Sequence, residues 1–524
     1  MKLLFGIFSE DMSQPASLLG HMAITHGWSV DIIFFPDSDD EDAIGEKIEA
    51  IKPNLVALSI KTFERRTGVR VARVARSMKV PVVVGGPHVV GAGLEDLRST
   101  GLFNALVTGD GAGIFTDLLD GYRSLDSMVI MGKKHPDKSV YYRRYFSPSQ
   151  EATIREKKML EVMLAVGCPY KCHFCATSRK VVPLPTEEVA KEIIAAKKKY
   201  GIEMINFLDD TFTYSAKRVT TFRSIMAAHG ADFQYFVRSR VDCFNEEIAD
   251  NLIDMGVEDI IFGTETGSQA LLDFMRKDIT VEEINRAIGI CKDRGIAFNT
   301  GLMFGLPRQS RQDLELTFDW VKTQTPENLH FYIFVPFPGT ELYDYCVENG
   351  HMPTNIDFDD YLSIRAEDEN YKGLRNTAGI LRGIDYDMSI DYIERIKEFQ
   401  NERRDRIIMD AAKLADRGRW AIFGGGNYFY TVLERLSTRS WNNVAGFHDY
   451  WNEFMHRNYE NKISPCDIRE LAHNLDTIIV TQHLGSYYRK AIEPMLRQEY
   501  GFKGDIVSVS TQGVPRRPNS ARVA

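Results

Sequence analysis

Gly167-Cys168-Pro169-Tyr170-Lys171-Cys172-His173-Phe174-Cys175 holds three of the seven cysteines in the chain, and its reading decides how the rest is read. The spacing is CxxxCxxC, and the run follows an apolar stretch, Val162 to Val166, that reads as a strand. Three thiolates on one tight loop, with no fourth cysteine close in sequence, make an incomplete ligand set. A structural zinc takes four closed ligands, and a simple electron-transfer [4Fe-4S] cluster takes four cysteine thiolates. Three leave one iron free to bind something other than protein. The plainer alternatives are a zinc knuckle or three buried thiols, but clustered cysteines favour a metal. Cys291 instead shares a helical face with Ile284, Ala287 and Ile288 at core spacing. Cys243, Cys346 and Cys466 are isolated from one another, so no auxiliary cluster is predicted.

A length of 524 residues predicts about three domains, and 44% hydrophobic content lets each bury a core. A net charge of −9 argues against a nonspecific nucleic-acid surface. The basic run Lys197, Lys198 and Lys199 reads as a solvated helix end. The N-terminal apolar run is too short for a signal peptide, and no later stretch reaches membrane-spanning length. A cytoplasmic location is expected, with no nucleic-acid partner and no membrane span; few cysteines also fit a reducing compartment.

From residue 1 to 125, short apolar runs alternate with helical patterns. Lys2 to Phe8, Val30 to Phe35, Leu55 to Ile60, Val82 to Gly85 and Ala105 to Thr108 read as strands, and Glu64 to Lys79 as a helix. Such alternation implies a parallel, doubly wound sheet, whose ligands bind outside the carboxyl ends of the strands. Ser59, the turn Gly85-Gly86-Pro87-His88, and Thr108-Gly109-Asp110-Gly111 fall there. Paired glycines let backbone approach a ligand closely. Residues 126–159 read as a charged connector.

From 160 to 346 the alternation returns, with six strands: Glu161 to Val166, Met204 to Leu208, Gln234 to Val237, Ile260 to Gly263, Phe298 to Phe304 and His330 to Val335. Thr186, Asn245 and Thr280, each followed by acidic residues, read as helix caps, and Gly201, Gly256 and Gly295 as helix stops. The pattern suits a partial (β/α)6 barrel. Asp209, Asp210, Arg240 and Glu265 sit at strand ends, where barrel active sites lie. Segment 347–418 reads as a bridging loop and a long helix, Ser389 to Leu414. In 419–524, a strand runs into Gly424-Gly425-Gly426-Asn427-Tyr428-Phe429, and Asp449 follows a later strand. That invites a dinucleotide reading, but Phe429 stands where the third glycine belongs. A small Rossmann-like recognition or interface module is expected.

The cysteine run, with the aromatic Phe174 before its last cysteine, resembles that of the radical S-adenosylmethionine (SAM) superfamily. Residues 1–125 resemble the cobalamin-binding domain of its B12-dependent class, which carries a GGPH-like turn and a Gly-acidic-Gly turn at these places. The resemblance implies a [4Fe-4S] cluster on Cys168, Cys172 and Cys175. It further implies SAM against Phe174, Asp209, Asp210, Arg240 and Glu265, and cobalamin against Ser59, Gly85, Gly86, Thr108, Gly109 and Gly111. Glu265, in Phe-Gly-Thr-Glu-Thr-Gly-Ser-Gln, resembles the family's Gly-x-Glu-Ser element. The first loop, Ser9 to Pro15, lacks the DxHxxG histidine, and Gly305-Leu306-Pro307-Arg308-Gln309 departs from the family's GLPGE.

In that class an electron from the reduced cluster splits SAM to a 5′-deoxyadenosyl radical, and the implied activity is methylation of an unactivated carbon, or phosphorus, of a small metabolite, lipid or peptide. A flavodoxin or ferredoxin is the implied electron donor. The alternatives are a cyclisation, oxidation or C–C bond formation in the same class, and a B12-binding sensor with a degenerate barrel.

Overall fold

The computed structural model describes residues 1–8, 14–177, 179–231, 233–326, 328–353, 356–359, 361, 380–416, 418–423, 432, 442–448, 468–480 and 493–508. The apolar runs of the first 125 residues are continuous rather than alternating, the mark of strands covered on both faces. In β1 (Lys2–Ile7), Leu3, Phe5 and Ile7 enter one core while Leu4 enters another on the opposite face. Its partners are β2 (Ser29–Phe34), β3 (Leu55–Ser59), β4 (Val82–Gly85), β5 (Ala105–Thr108) and β6 (Met128–Met131). All pair in parallel, in the order β2-β1-β3-β4-β5-β6. The chain changes direction across the sheet at β1, which opens a crevice at the carboxyl ends of β1 and β3.

The first sheet continues past residue 125. The segment 126–159 supplies β6 and the helix Pro148–Lys157, whose Ser147 cap closes a reciprocal box with Gln150. β6 is a four-residue edge strand with Met128, Val129 and Met131 exposed, too short and too solvated for a periodic signal.

The second sheet is also six-stranded and parallel. β7 (Met159–Val162) leads to β8 (Ala165–Val166), which pairs antiparallel with β9 (Val182–Pro183). The single strand expected over Glu161 to Val166 is therefore two, and the short β8–β9 ladder closes the base of the cysteine loop. Then follow β10 (Met204–Phe207), β11 (Gln234–Ser239), β12 (Val257–Glu265), β13 (Ala297–Phe304) and β14 (Leu329–Ile333). The order β14-β13-β12-β11-β10-β7 leaves the sheet open between its first and last strands, a partial barrel.

Asn245 and Thr280 accept bonds from Ile248 N and Glu283 N, while Gly201, Gly256 and Gly295 adopt left-handed φ of 69°, 93° and 67°. Thr186 is not a cap but the first residue of its helix, Thr186–Tyr200, after Pro185. The long helix spans Tyr386–Ala415, and its Tyr392 Oη lies 2.5 Å from Glu315 on the barrel helix Arg311–Gln324. Beyond it β15 (Trp420–Phe423), β16 (Val444–His448), β17 (Thr477–Val480) and β18 (Asp505–Ser508) form a third parallel sheet, ordered β16-β15-β17-β18. The glycine run after β15, Asp449 and Cys466 lie outside the described residues. Among the described residues no helix is long and apolar enough to cross a membrane.

The N-terminal unit and the barrel share one apolar core, from Leu3 to Ile396. They are also latched by polar contacts. Arg65 binds Asp96 with two nitrogens, at 2.8 and 3.0 Å, and reaches Asp359 with a third at 2.7 Å. His88, fully buried, stacks edge-on against Phe358 at 4.9 Å and lies 3.3 Å from Thr62 Oγ1. It is thus a packing residue of the glycine turn. Tyr361 Oη donates to Pro336 O at 2.9 Å, fixing this segment to the loop after β14. Charged hydrogen bonds of this kind contribute roughly 2 kcal/mol. Arg65→Gln should therefore raise deuterium uptake in peptides covering 88–96 and 356–361 while leaving β10 to β13 protected; unchanged uptake would show that the latch contributes nothing.

Candidate metal and cofactor site

The cysteine loop has almost no secondary structure of its own, so side chains from the barrel must hold it. Arg179, on the returning limb, donates to Tyr170 O at 2.7 Å and Cys172 O at 3.3 Å, and pairs with Glu341 at 3.1 Å. The main chain of His173 bonds to Met275 O and Leu342 N, tying the loop to both flanking walls. Arg240 leaves the end of β11 and lies 3.7 Å over the Tyr170 ring. Its remaining nitrogens bind Asp242 at 3.0 and 3.2 Å, Lys277 O at 2.7 Å, and Cys172 Sγ at 3.6 Å.

Cys172 is buried, whereas Cys168 and Cys175 are partly exposed. Burial pushes the Cys172 thiol up, and the Lys277 and Arg240 charges pull it down. Thr211 Oγ1 lies 3.8 Å from Cys168 Sγ, and Cys243 touches the Tyr170 hydroxyl at 2.6 Å. Among the described residues no three His, Cys, Asp or Glu side chains close around a single ion. The donor set suits a larger anionic group: three thiols on one loop, faced by the cations of Arg240 and Lys277.

Lys277 carried no signal in the sequence reading because its place depends on the turn after the helix Gln269–Phe274. Its Nζ binds Glu265 at 2.7 Å, and both residues are buried. It also lies 5.4 Å over the Phe174 ring. Glu265 sits past a bulge in β12 with φ 65°, a left-handed conformation that non-glycine residues adopt at a cost, often at functional sites. Gly263 makes room for the pair, since a Cβ there would lie 2.9 Å from both Glu265 Oε1 and Lys277 Nζ. Asp210 is exposed at the end of β10 and accepts from Thr177 Oγ1 at 3.3 Å.

Asp209 differs from the expectation. It is buried and turned away from the cysteines, accepting from Leu164 N at 2.8 Å and pairing with Arg218 at 3.4 Å. It holds the strand turn that launches the cysteine loop and cannot reach a ligand at the barrel mouth. Asp209, two residues past the end of β10, keeps to the buried side of Ile205 and Phe207, while Asp210 already belongs to the exposed turn that follows. In the departing loop after β13, Arg308 takes the left-handed conformation, φ 69°, and Gln309 Oε1 accepts from Gly305 N at 2.8 Å.

At the carboxyl edge of the first sheet, Ser59, Gly85, Thr108 and Gly111 are partly exposed, and Gly86 and Gly109 are open to solvent. Gly86 has φ 104°, and a Cβ would approach Ile60 N and O to 2.6 and 2.7 Å, so only glycine fits the turn. Gly109 has φ 73°. Asp110 accepts from Tyr141 Oη at 2.8 Å, holding the third turn to the connector. Residues 9–13 of the first loop lie outside the described residues. A Cβ at Gly91, just beyond the GGPH turn, would lie 3.4 Å from Gly339 N in the loop after β14, and a Cβ at Gly339 would lie 2.9 Å from Val90 Cγ2, so the two loops lie side by side. The carboxyl edges of the two sheets therefore meet.

Residues 162–321 match the model of the Radical SAM superfamily. Over 335 residues the chain is 28% identical to an uncharacterised methyltransferase of Pyrococcus horikoshii, spanning 59% of this chain and 73% of the relative. It is 23% identical over 382 residues to the anaerobic magnesium-protoporphyrin IX monomethyl ester cyclase of Rubrivivax gelatinosus, spanning 66% and 68% respectively. Two solved structures share the fold. The radical SAM methyltransferase TsrM of Kitasatospora setae matches with a TM-score of 0.54 at 17% identity, over 66% of this chain and 76% of that one. The cobalamin-dependent SAM radical enzyme OxsB matches with a TM-score of 0.53 at 13% identity, over 84% and 71%. Residues 162–321 are thus a radical SAM domain. The order of its sheets, a doubly wound one ahead of the partial barrel, lies within the span over which this fold matches OxsB.

Burial pushes the Asp209 carboxyl up to about 6, against the opposing pull of Arg218 and the amides of Leu164 and Ala165. The folded value exceeds the 3.8 of a free aspartate, so folding favours the protonated form. The contribution of this group is complete below about pH 4 and is lost as the pH rises through about 6. Stability of the wild type relative to Asp209→Asn should thus fall by about 3 kcal/mol between about pH 4 and pH 7, read from urea midpoints. A flat difference would show that Asp209 is ionised throughout.

Proposed function

We propose that this protein is a cobalamin-dependent radical SAM methyltransferase acting on an unactivated carbon of a small molecule. The meeting of the two carboxyl edges at Val90, Gly91 and Gly339 carries this reading, because a corrin on the first sheet would then face the cysteine site of the second. When bound, the cluster and SAM supply a carbon-centred radical and the corrin supplies a methyl group.

The chain's own residues position and enclose. Cys168, Cys172 and Cys175 would hold the cluster, with Arg240 and Lys277 offsetting its negative charge. Phe174, Asp210, Arg240, Glu265 and Lys277 form the wall that SAM would meet. The buried Glu265–Lys277 pair is suited to an amino-acid zwitterion, offering an acceptor for an ammonium and a donor for a carboxylate. Ser59, Gly85, Gly86, Thr108, Gly109 and Gly111 would line the corrin. His88 is enclosed by Phe358 and is not free to ligate cobalt.

TsrM is described with tryptophan as its substrate, which supports a small-molecule substrate here. The cyclase among the relatives keeps a non-methylating reaction of the same class as the second reading.

Anaerobic reconstitution should load about four irons, and dithionite with SAM should then yield 5′-deoxyadenosine. Cys172→Ala should lose both. With SAM labelled by deuterium in its methyl group, products should gain a deuterated methyl. Tetrahedral zinc in place of iron, or a cluster indifferent to SAM, would overturn the radical SAM reading; 5′-deoxyadenosine without methyl transfer would favour the second.

A further inference from the structure

Burial alternates strictly along the second and third barrel strands. On β10 and β11, Ile205, Phe207, Tyr235, Val237 and Ser239 are buried against the helices, while Asn206, Phe236 and Arg238 are partly exposed toward the interior. The interior is thus open and partly polar. Gly301 keeps it so on the far side: a Cβ there would lie 2.6 Å from the ring of Tyr332, a β14 residue 51% exposed.

Two cations of this region, Arg238 and Arg144, make no ion pair among the described residues; Arg144 Nη1 is buried and the charge of Glu161 acts on that side chain, whereas Arg238 is partly exposed. Arg218 pairs with Asp209 and Arg240 with Asp242, but no carboxylate lies within 4.0 Å of Arg238 among the described residues. Its Nη1 donates to Phe207 O at 2.9 Å and to Asn206 Oδ1 at 3.4 Å. A partly buried guanidinium without a counter-ion is costly, and its planar fork matches a carboxylate. Asn206 Nδ2 in turn donates to Glu161 Oε1 at 3.3 Å, so a polar belt crosses β7, β10 and β11. The charge of Arg238 acts on Asp210 and Tyr332, and that of Glu265 also acts on Tyr332.

We infer that Arg238 anchors a carboxylate of the substrate, so that the substrate class of this enzyme is a small carboxylic acid. The inference rests on the radical SAM reading above. Arg238 lies two positions before Arg240, or roughly 6.6 Å along the extended chain, which sets the anchor one layer below the cysteine loop. A carboxylate is favoured over a phosphate because the single charge of Arg238 matches a monoanion, and Asp210, on which that charge also acts, would repel the second charge of a dianion.

The test uses reconstituted holoenzyme and an aqueous small-molecule extract of the cells that make the protein, split on an anion exchanger. 5′-Deoxyadenosine production should rise with the retained fraction. Blocking carboxylates in that fraction by amidation should remove the effect, and phosphatase treatment should not. Arg238→Met should cut the stimulated component about tenfold to a hundredfold, with partial recovery in Arg238→Lys, while iron content and SAM affinity match wild type. Stimulation confined to the flow-through, sensitivity to phosphatase alone, or no stimulation by any fraction overturns the inference. So does a parallel loss of SAM affinity in Arg238→Met, which would assign the residue to SAM. Absence of any 5′-deoxyadenosine from the wild type would remove the radical SAM reading itself, and the anchor with it.

Discussion

The cysteine loop is held by the guanidinium of Arg240 more than by any backbone pattern. That group lies flat over Tyr170, touches Cys172, and is fixed by Asp242 and the carbonyl of Lys277. A loop of this length without ladder bonds would otherwise sample many conformations, and ordering each residue costs about 1 to 2 kcal/mol. Arg179 and the β8–β9 ladder do the same at the returning limb. The loop is therefore preorganised from three sides, and Cys168 and Cys175 remain partly exposed.

Such rigidity suits a site whose reactive partners come from different parts of the chain. The cysteines follow the first barrel strand, Arg240 the third, Glu265 the fourth, and the glycine turns belong to another sheet. The strain held at Glu265 and the close fit at Gly263 imply that the surrounding packing determines the position of the Glu265–Lys277 pair. A distortion of β12 would disturb both partners together.

The legible features were local ones. The three-cysteine spacing, the alternation of strands and helices, and the caps at Asn245 and Thr280 each arise within a few residues. What the sequence concealed was either very short or joined across long separations. β8 and β9 are two residues each, below any periodic signal. Arg65 and Asp359 are 294 positions apart. Lys277 is placed by a turn rather than a motif. Asp209 and Asp210 are adjacent acidic residues with equal standing in sequence, yet one keeps to the buried side and the other belongs to the exposed turn, a distinction that requires knowing where β10 ends.

The shared apolar core has a bearing on how the protein can be taken apart. Leu3, Phe5 and Ile7 pack into the same continuous interior as Tyr141, Ile154 and the barrel residues Leu160 and Ile205. Cutting the chain between the first sheet and the barrel would bare a large greasy face on each fragment, and such faces drive clumping. The two halves are thus tied by solubility, because each covers apolar surface of the other.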